Sequence, residues 1–76
     1  MEGELQQTLG RNLRAYREGK GRSQEAFADV FSFNLTYMGG VERGERNLTL
    51  KSVERIAGKI KVEPVALLSE SFSPSR

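Results

Sequence analysis

Apolar residues in this chain recur at steps of three and four, and each run is soon cut by a glycine, serine or asparagine. That pattern admits short amphipathic helices and little else. Leu5, Leu9, Leu13 and Tyr16 define one face of a first helix expected over residues 5–18. Gly19 and Gly21 then favour a C-terminal cap and a turn. Ser23 is a good N-cap, with Gln24 and Glu25 in the first turn, where negative charge suits the helix dipole. A second helix is expected over residues 24–31, burying Phe27, Ala28 and Phe31. After the short interval Ser32-Phe33-Asn34, Asn34 can cap a third helix over residues 35–43 that carries Leu35, Met38 and Val41. Gly39 and Gly40 each cost that helix about 1 kcal/mol relative to alanine, so it must draw stability from tertiary packing. Gly44 ends it, and Glu45 to Leu48 form a loop. Thr49 caps a fourth helix with Leu50, Val53, Ile56, Ala57 and Ile60 at helical spacing. Pro64 opens a short fifth helix bearing Val65, Leu67 and Leu68.

With no strand-like alternation and no internal repeat, the expected fold class is all-α, a compact bundle of five helices. The 76 residues suffice for a single core. Residues 1–4 are expected to form a flexible N-terminus, 5–68 the domain, and the serine-rich stretch 69–76 a flexible tail whose only large apolar residue is Phe72.

The chain has no cysteine and no histidine, which removes thiolate chemistry and the usual zinc ligand sets. No cofactor, metal or small-molecule effector is implied, and the carboxylates form no paired acid–base arrangement, so an enzyme is not expected. Net charge is only +2, yet Arg11, Arg14, Arg17, Lys20 and Arg22 stand against the single acid Glu18. Such asymmetry can build a basic face on a nearly neutral protein, or simply a solvated helix face. No apolar stretch approaches the roughly 20 residues that span a bilayer, and the acidic start is unlike a secretory signal, so no membrane association and a cytoplasmic, nucleoid-associated location are expected.

Counting from Gln24, apolar residues fall at the fourth, eighth, tenth, fifteenth and eighteenth places, Phe27, Phe31, Phe33, Met38 and Val41, with the small Ala28 fifth. That order suits two helices crossing steeply about a tight turn. Together with Ser23-Gln24-Glu25, Tyr37-Met38, Glu42-Arg43-Gly44 and Arg46-Asn47-Leu48-Thr49-Leu50, it resembles the lambda-repressor-like, or XRE/Cro, helix-turn-helix domains over most of the chain. Thr36-Tyr37 followed by residues 41–49 looks most like the controller proteins of restriction–modification systems.

The resemblance implies a transcriptional regulator that binds a near-palindromic operator in double-stranded DNA as a homodimer, with the third helix lying in the major groove. DNA contacts are then expected from Gln24, Asn34, Leu35, Thr36, Tyr37, Gly39, Gly40, Arg43, Arg46 and Asn47. Gln24 would offer its amide to a phosphate, and Leu35 and Thr36 would meet bases, Leu35 through a thymine methyl. Leu35 departs from the long polar readers usual in the family, and it could instead be a core residue or part of a protein-binding patch. Gly39 and Gly40 allow either close approach of the DNA backbone or merely a weak turn. Tyr37, Arg43, Arg46 and Asn47 would flank the DNA backbone. Arg17 is expected to pair with Glu42, and Ser32 stands where the family often has glycine, in a turn that goes left-handed. Val65, Leu67, Leu68 and Phe72 are the candidate dimer face, or else they close the monomer core. A different function on the same fold, an antitoxin-like protein interaction, would use the Leu35-Tyr37-Met38 surface.

Overall fold

The computed structural model describes residues 3–72. In chain order it comprises α1 (Glu4–Gly19), α2 (Gln24–Phe31), α3 (Leu35–Glu42), α4 (Leu50–Ile60) and α5 (Pro64–Leu67), with no strand among the described residues. None of these helices is long and apolar enough to cross a membrane. Each of the three expected caps forms. Ser23 Oγ accepts from the Ala26 amide at 3.1 Å, Asn34 Oδ1 from Tyr37 at 2.7 Å and Thr49 Oγ1 from Ser52 at 3.1 Å. Each satisfies an amide that the first helical turn leaves without a partner.

The turn between α2 and α3 is left-handed at Ser32, with φ 60° and ψ 34°. Phe33 then donates its amide to the Ala28 carbonyl at 2.9 Å, closing α2 and swinging the chain directly into the cap of α3. Gly44, at φ 74°, ends the helical turn after α3. Helix α3 is one residue shorter than expected, because Arg43 serves as its C-cap.

The core is a single cluster in which Leu9, Leu13, Phe27, Phe31, Met38, Val41, Leu48, Val53, Ile56, Ala57, Ile60 and Leu67 are buried. Helix α1 packs on α3 and α5, α2 on α3 and α4, and α4 on α5, so α3 is held from two sides. The α1–α3 approach is close enough to require glycine. A Cβ on Gly10 would stand 2.5 Å from the carbonyl oxygen of Val41 and 2.6 Å from that of Glu42. A chain of aromatic rings, Tyr16, Phe27, Phe31, Phe33 and Tyr37, with neighbouring centroids 4.8–6.0 Å apart, runs from α1 through the turn to α3.

Two expectations at the C-terminal end need correction. Leu67 is fully buried and belongs to the monomer core, so it cannot form a dimer face. The tail does not begin at Ser69. Asn12, buried on α1, donates through Nδ2 to the carbonyls of Leu67 at 2.7 Å and Ser69 at 2.9 Å, and Phe72 packs half-buried on the core. The remainder of the expected tail, 73–76, lies outside the described residues, as do residues 1–2 of the expected flexible N-terminus. Glu4 already belongs to α1.

Candidate nucleic-acid interface

Helix α3 turns Met38, Val41 and Glu42 to the core and Leu35, Thr36, Gly39 and Gly40 the other way, with both glycines buried and Arg43 following at the C-cap. Leu35 is 48% exposed, so it is neither core nor covered by its own chain. Met38 is fully buried, which removes it from the Leu35-Tyr37-Met38 surface considered for a protein partner. Asn34 and Thr36 are exposed at the helix start. The Asn34 carbonyl oxygen is committed to the cap, which leaves its amide group to face outward.

The far end of α3 is fixed by Glu42. Its carboxylate, only 3% exposed, accepts from Arg17 Nε at 2.8 Å and Arg17 Nη2 at 3.1 Å, the fork expected from the sequence. Hydrogen bonding to Glu42, against the opposing cost of desolvation, holds the Arg17 guanidinium above its already high range. Gln24 joins the same group, donating from Nε2 to Glu42 Oε1 at 3.1 Å. One amide proton of Gln24 is thereby committed within the protein, and its second N–H and the neighbouring α2 N-terminus are what it can offer a phosphate. Glu42 thus ties α1, α2 and α3 together at one point.

Beyond α3, Arg43 forks onto Glu45, with Nε 3.1 Å from Oε2 and Nη2 3.1 Å from Oε1, and both side chains are largely exposed. This pairing, which lowers the Glu45 carboxyl below its usual range, was not anticipated from the sequence. Arg46 takes a different course, its guanidinium carbon 5.3 Å from the centroid of the half-buried Tyr37 ring. Asn47 is exposed in the same loop. The structure therefore gathers Thr36, Tyr37, Gly39, Gly40, Arg43 and Arg46 about one face, with Asn34 and Leu35 at its leading end and Gln24 at its side.

Three structural residues carried no sequence signal that marked them. Asn12 and Gln6, whose Nε2 donates to the Gly44 carbonyl at 2.6 Å, act across 38 or more positions, and Gly10 looks like any helical glycine until α3 is laid against it. A small cleft beside α4 is lined in part by Phe33, Tyr37, Leu48 and Arg55. Among the described residues no group of three acidic side chains is placed to hold a metal.

Residues 8–69 match the helix-turn-helix domain family. The chain belongs to that family. Within it, this helix-turn-helix protein is 35% identical over 66 residues to the control protein C.SmaI of Serratia marcescens, covering 87% of this chain and 79% of that one. It is 33% identical over 69 residues to the control protein C.BamHI of Bacillus amyloliquefaciens, covering 90% and 85%. Its fold matches the crystal structure of the restriction–modification controller protein C.AhdI from Aeromonas hydrophila with a TM-score of 0.69 at 38% identity, covering 83% of this chain and 94% of that one. A hypothetical transcription factor from Neisseria superposes with a TM-score of 0.76 at 34% identity, covering 91% and 82%. The restriction–modification likeness read from residues 36–49 thus extends over most of the helix-turn-helix chain.

Proposed function

We propose that this chain regulates transcription by binding a near-palindromic DNA operator as a homodimer, with α3 in the major groove. It is a DNA-binding transcriptional regulator, in keeping with its controller-protein and transcription-factor relatives. The observation that carries the reading is the outward face of α3, flanked by Arg43 and Arg46 and anchored at its far end by the buried Glu42. Such a face can enter a groove as a rigid unit.

In this reading Leu35 and Thr36 meet bases, Leu35 through thymine methyls, and Asn34 and Tyr37 reach base or backbone edges. Gln24, Arg43, Arg46 and Asn47 contact the backbone around them. Readout by so few polar side chains leaves part of the specificity to DNA shape. The dimer face comprises Val65, 79% exposed, together with Leu68 and Phe72, each half-buried against the core. A two-fold pair would set two α3 helices about 34 Å apart, one turn of DNA. The protein works in the cytoplasm, at the nucleoid, and catalyses no reaction.

Selection from a random duplex pool, followed by titration of the enriched sequence and a scrambled control at two salt concentrations, tests this. Enrichment of two half-sites related by a dyad is the expected result. Weak, salt-labile binding with no enriched site would sink it. The exposure of Leu35 favours one second reading, an antitoxin-like contact with a protein. Replacing both Arg43 and Arg46 by alanine separates the two, because DNA binding is lost whereas an apolar protein contact survives.

A further inference from the structure

The side of α3 opposite Met38 and Val41 is made by Thr36, Gly39, Gly40 and Arg43. Two of these are glycines facing away from the core, and yet both are buried. Arginine covers them. A Cβ built on Gly40 would lie 2.7 Å from Nε of Arg46, 3.0 Å from its Cγ and 3.3 Å from its Cδ. One built on Gly39 would lie 3.0 Å from Nη1 of Arg43. Arg46 also rests on the Tyr37 ring, which is in turn packed edge-on against Phe33 at 4.8 Å. Arg43 is paired with Glu45, whereas Arg46 makes no ion pair among the described residues.

We infer that Gly40 is a positioning residue for DNA recognition: it opens a notch in α3 that seats the Arg46 side chain against Tyr37. A guanidinium from the following loop is then held against α3, beside the face that meets the groove, where it contacts the DNA backbone. The inference rests on the DNA-binding reading above and adds to it the source of one contact. Seating costs the protein a helix-weakening glycine, and in return Arg46 loses less rotational freedom when it meets DNA. It makes no direct ion pair among the described residues, so no bonded carboxylate has to let go of it first, and Glu45 acts on it only through space. Contrast with Gly10 fixes the nature of the notch. At Gly10 an added Cβ would strike backbone carbonyls, which cannot yield without moving α3. At Gly40 it would strike the flexible part of a side chain, so an alanine there displaces Arg46 and leaves the helix standing.

Gly40→Ala, Arg46→Ala and the double variant are compared with the unaltered protein, by titration with the operator enriched above and by NMR of the free proteins. In the unaltered protein the Arg46 side-chain protons should show an upfield ring-current shift from Tyr37. Gly40→Ala is expected to keep its helical circular dichroism, lose that shift and bind about ten-fold more weakly at moderate salt, the loss that goes with one arginine–phosphate contact. The double variant should then bind no more weakly than Arg46→Ala alone. Undiminished binding by Gly40→Ala, or persistence of the shift in it, overturns the inference. So do additive losses in the double variant, which mean that the added Cβ itself collides with DNA. If the unaltered protein enriches no operator, the DNA reading fails and the recognition role of Gly40 falls with it, while the NMR comparison still decides whether the glycine seats the arginine.

Discussion

Glu42 is the residue on which most of the site depends. Both carboxylate oxygens are engaged, by an arginine from α1 and a glutamine from α2, while the residue itself sits in the last turn of α3. Replacing Glu42 with alanine strands a guanidinium that is 14% exposed, and it should lower stability by about 3 kcal/mol, the low end for a broken buried pair because Arg17 keeps a path to water. The urea midpoint measures this, and a loss below about 1 kcal/mol would show the network to be dispensable. Glu45 works in the opposite sense. Because Arg43 holds its carboxyl below the usual range, Glu45 is ionised near neutral pH and, in the proposed complex, would compete with phosphate for that arginine. The pair's contribution is present above the ordinary carboxylate range and fades only as pH falls through the lowered folded value. Glu45→Gln should therefore strengthen operator binding severalfold, to the same extent on either side of neutrality, as read by titration. Unchanged or weaker binding would mean that Arg43 does not face DNA.

At the scale of elements, the α2–α3 turn is held against a local cost. Ser32 occupies the left-handed region, as the family resemblance led one to expect, and a side chain there costs about 1 kcal/mol relative to glycine. Ser32→Gly should accordingly raise stability by about 1 kcal/mol, detected as a higher urea midpoint with the same slope. A fall in stability would show that the exposed Ser32 side chain earns its place in some other way. Helix α3 shows how packing compensates for weak propensity. Two adjacent glycines weaken it, but a cap at Asn34, Met38 and Val41 in the core and the Glu42 network hold both of its ends.

For the whole molecule, the decisive question is which apolar residues face inward at α5. Leu67 is fully buried, so Leu67→Ala should cost about 3 kcal/mol of unfolding free energy through the cavity it leaves. Val65 is 79% exposed, so Val65→Asp should leave the monomer fold intact while breaking the proposed dimer. Sedimentation of both variants against the unaltered protein separates the effects. A Val65→Asp protein that still sediments as a dimer would place the interface elsewhere.

Caps, turns and helix faces were legible in the sequence because each is decided by groups a few positions apart. Ser23, Asn34 and Thr49 each bond an amide three residues on, and the apolar spacing of Phe27, Ala28 and Phe31 named the buried face of α2 without reference to any partner. The Arg17–Glu42 fork was legible only through resemblance, since its partners are 25 positions apart. Elsewhere the tertiary structure decided. Val65, Leu67 and Leu68 are equivalent by hydropathy, and only the docking of α5 on α1 and α4 turned Leu67 inward. The bond from Asn12 to the end of α5, the backbone contact that makes Gly10 indispensable, and the path of Arg46 over Gly40 all join groups that no local rule relates. Local chemistry set where each helix begins and ends, and close packing, which admits one arrangement of the whole, set what each helix touches.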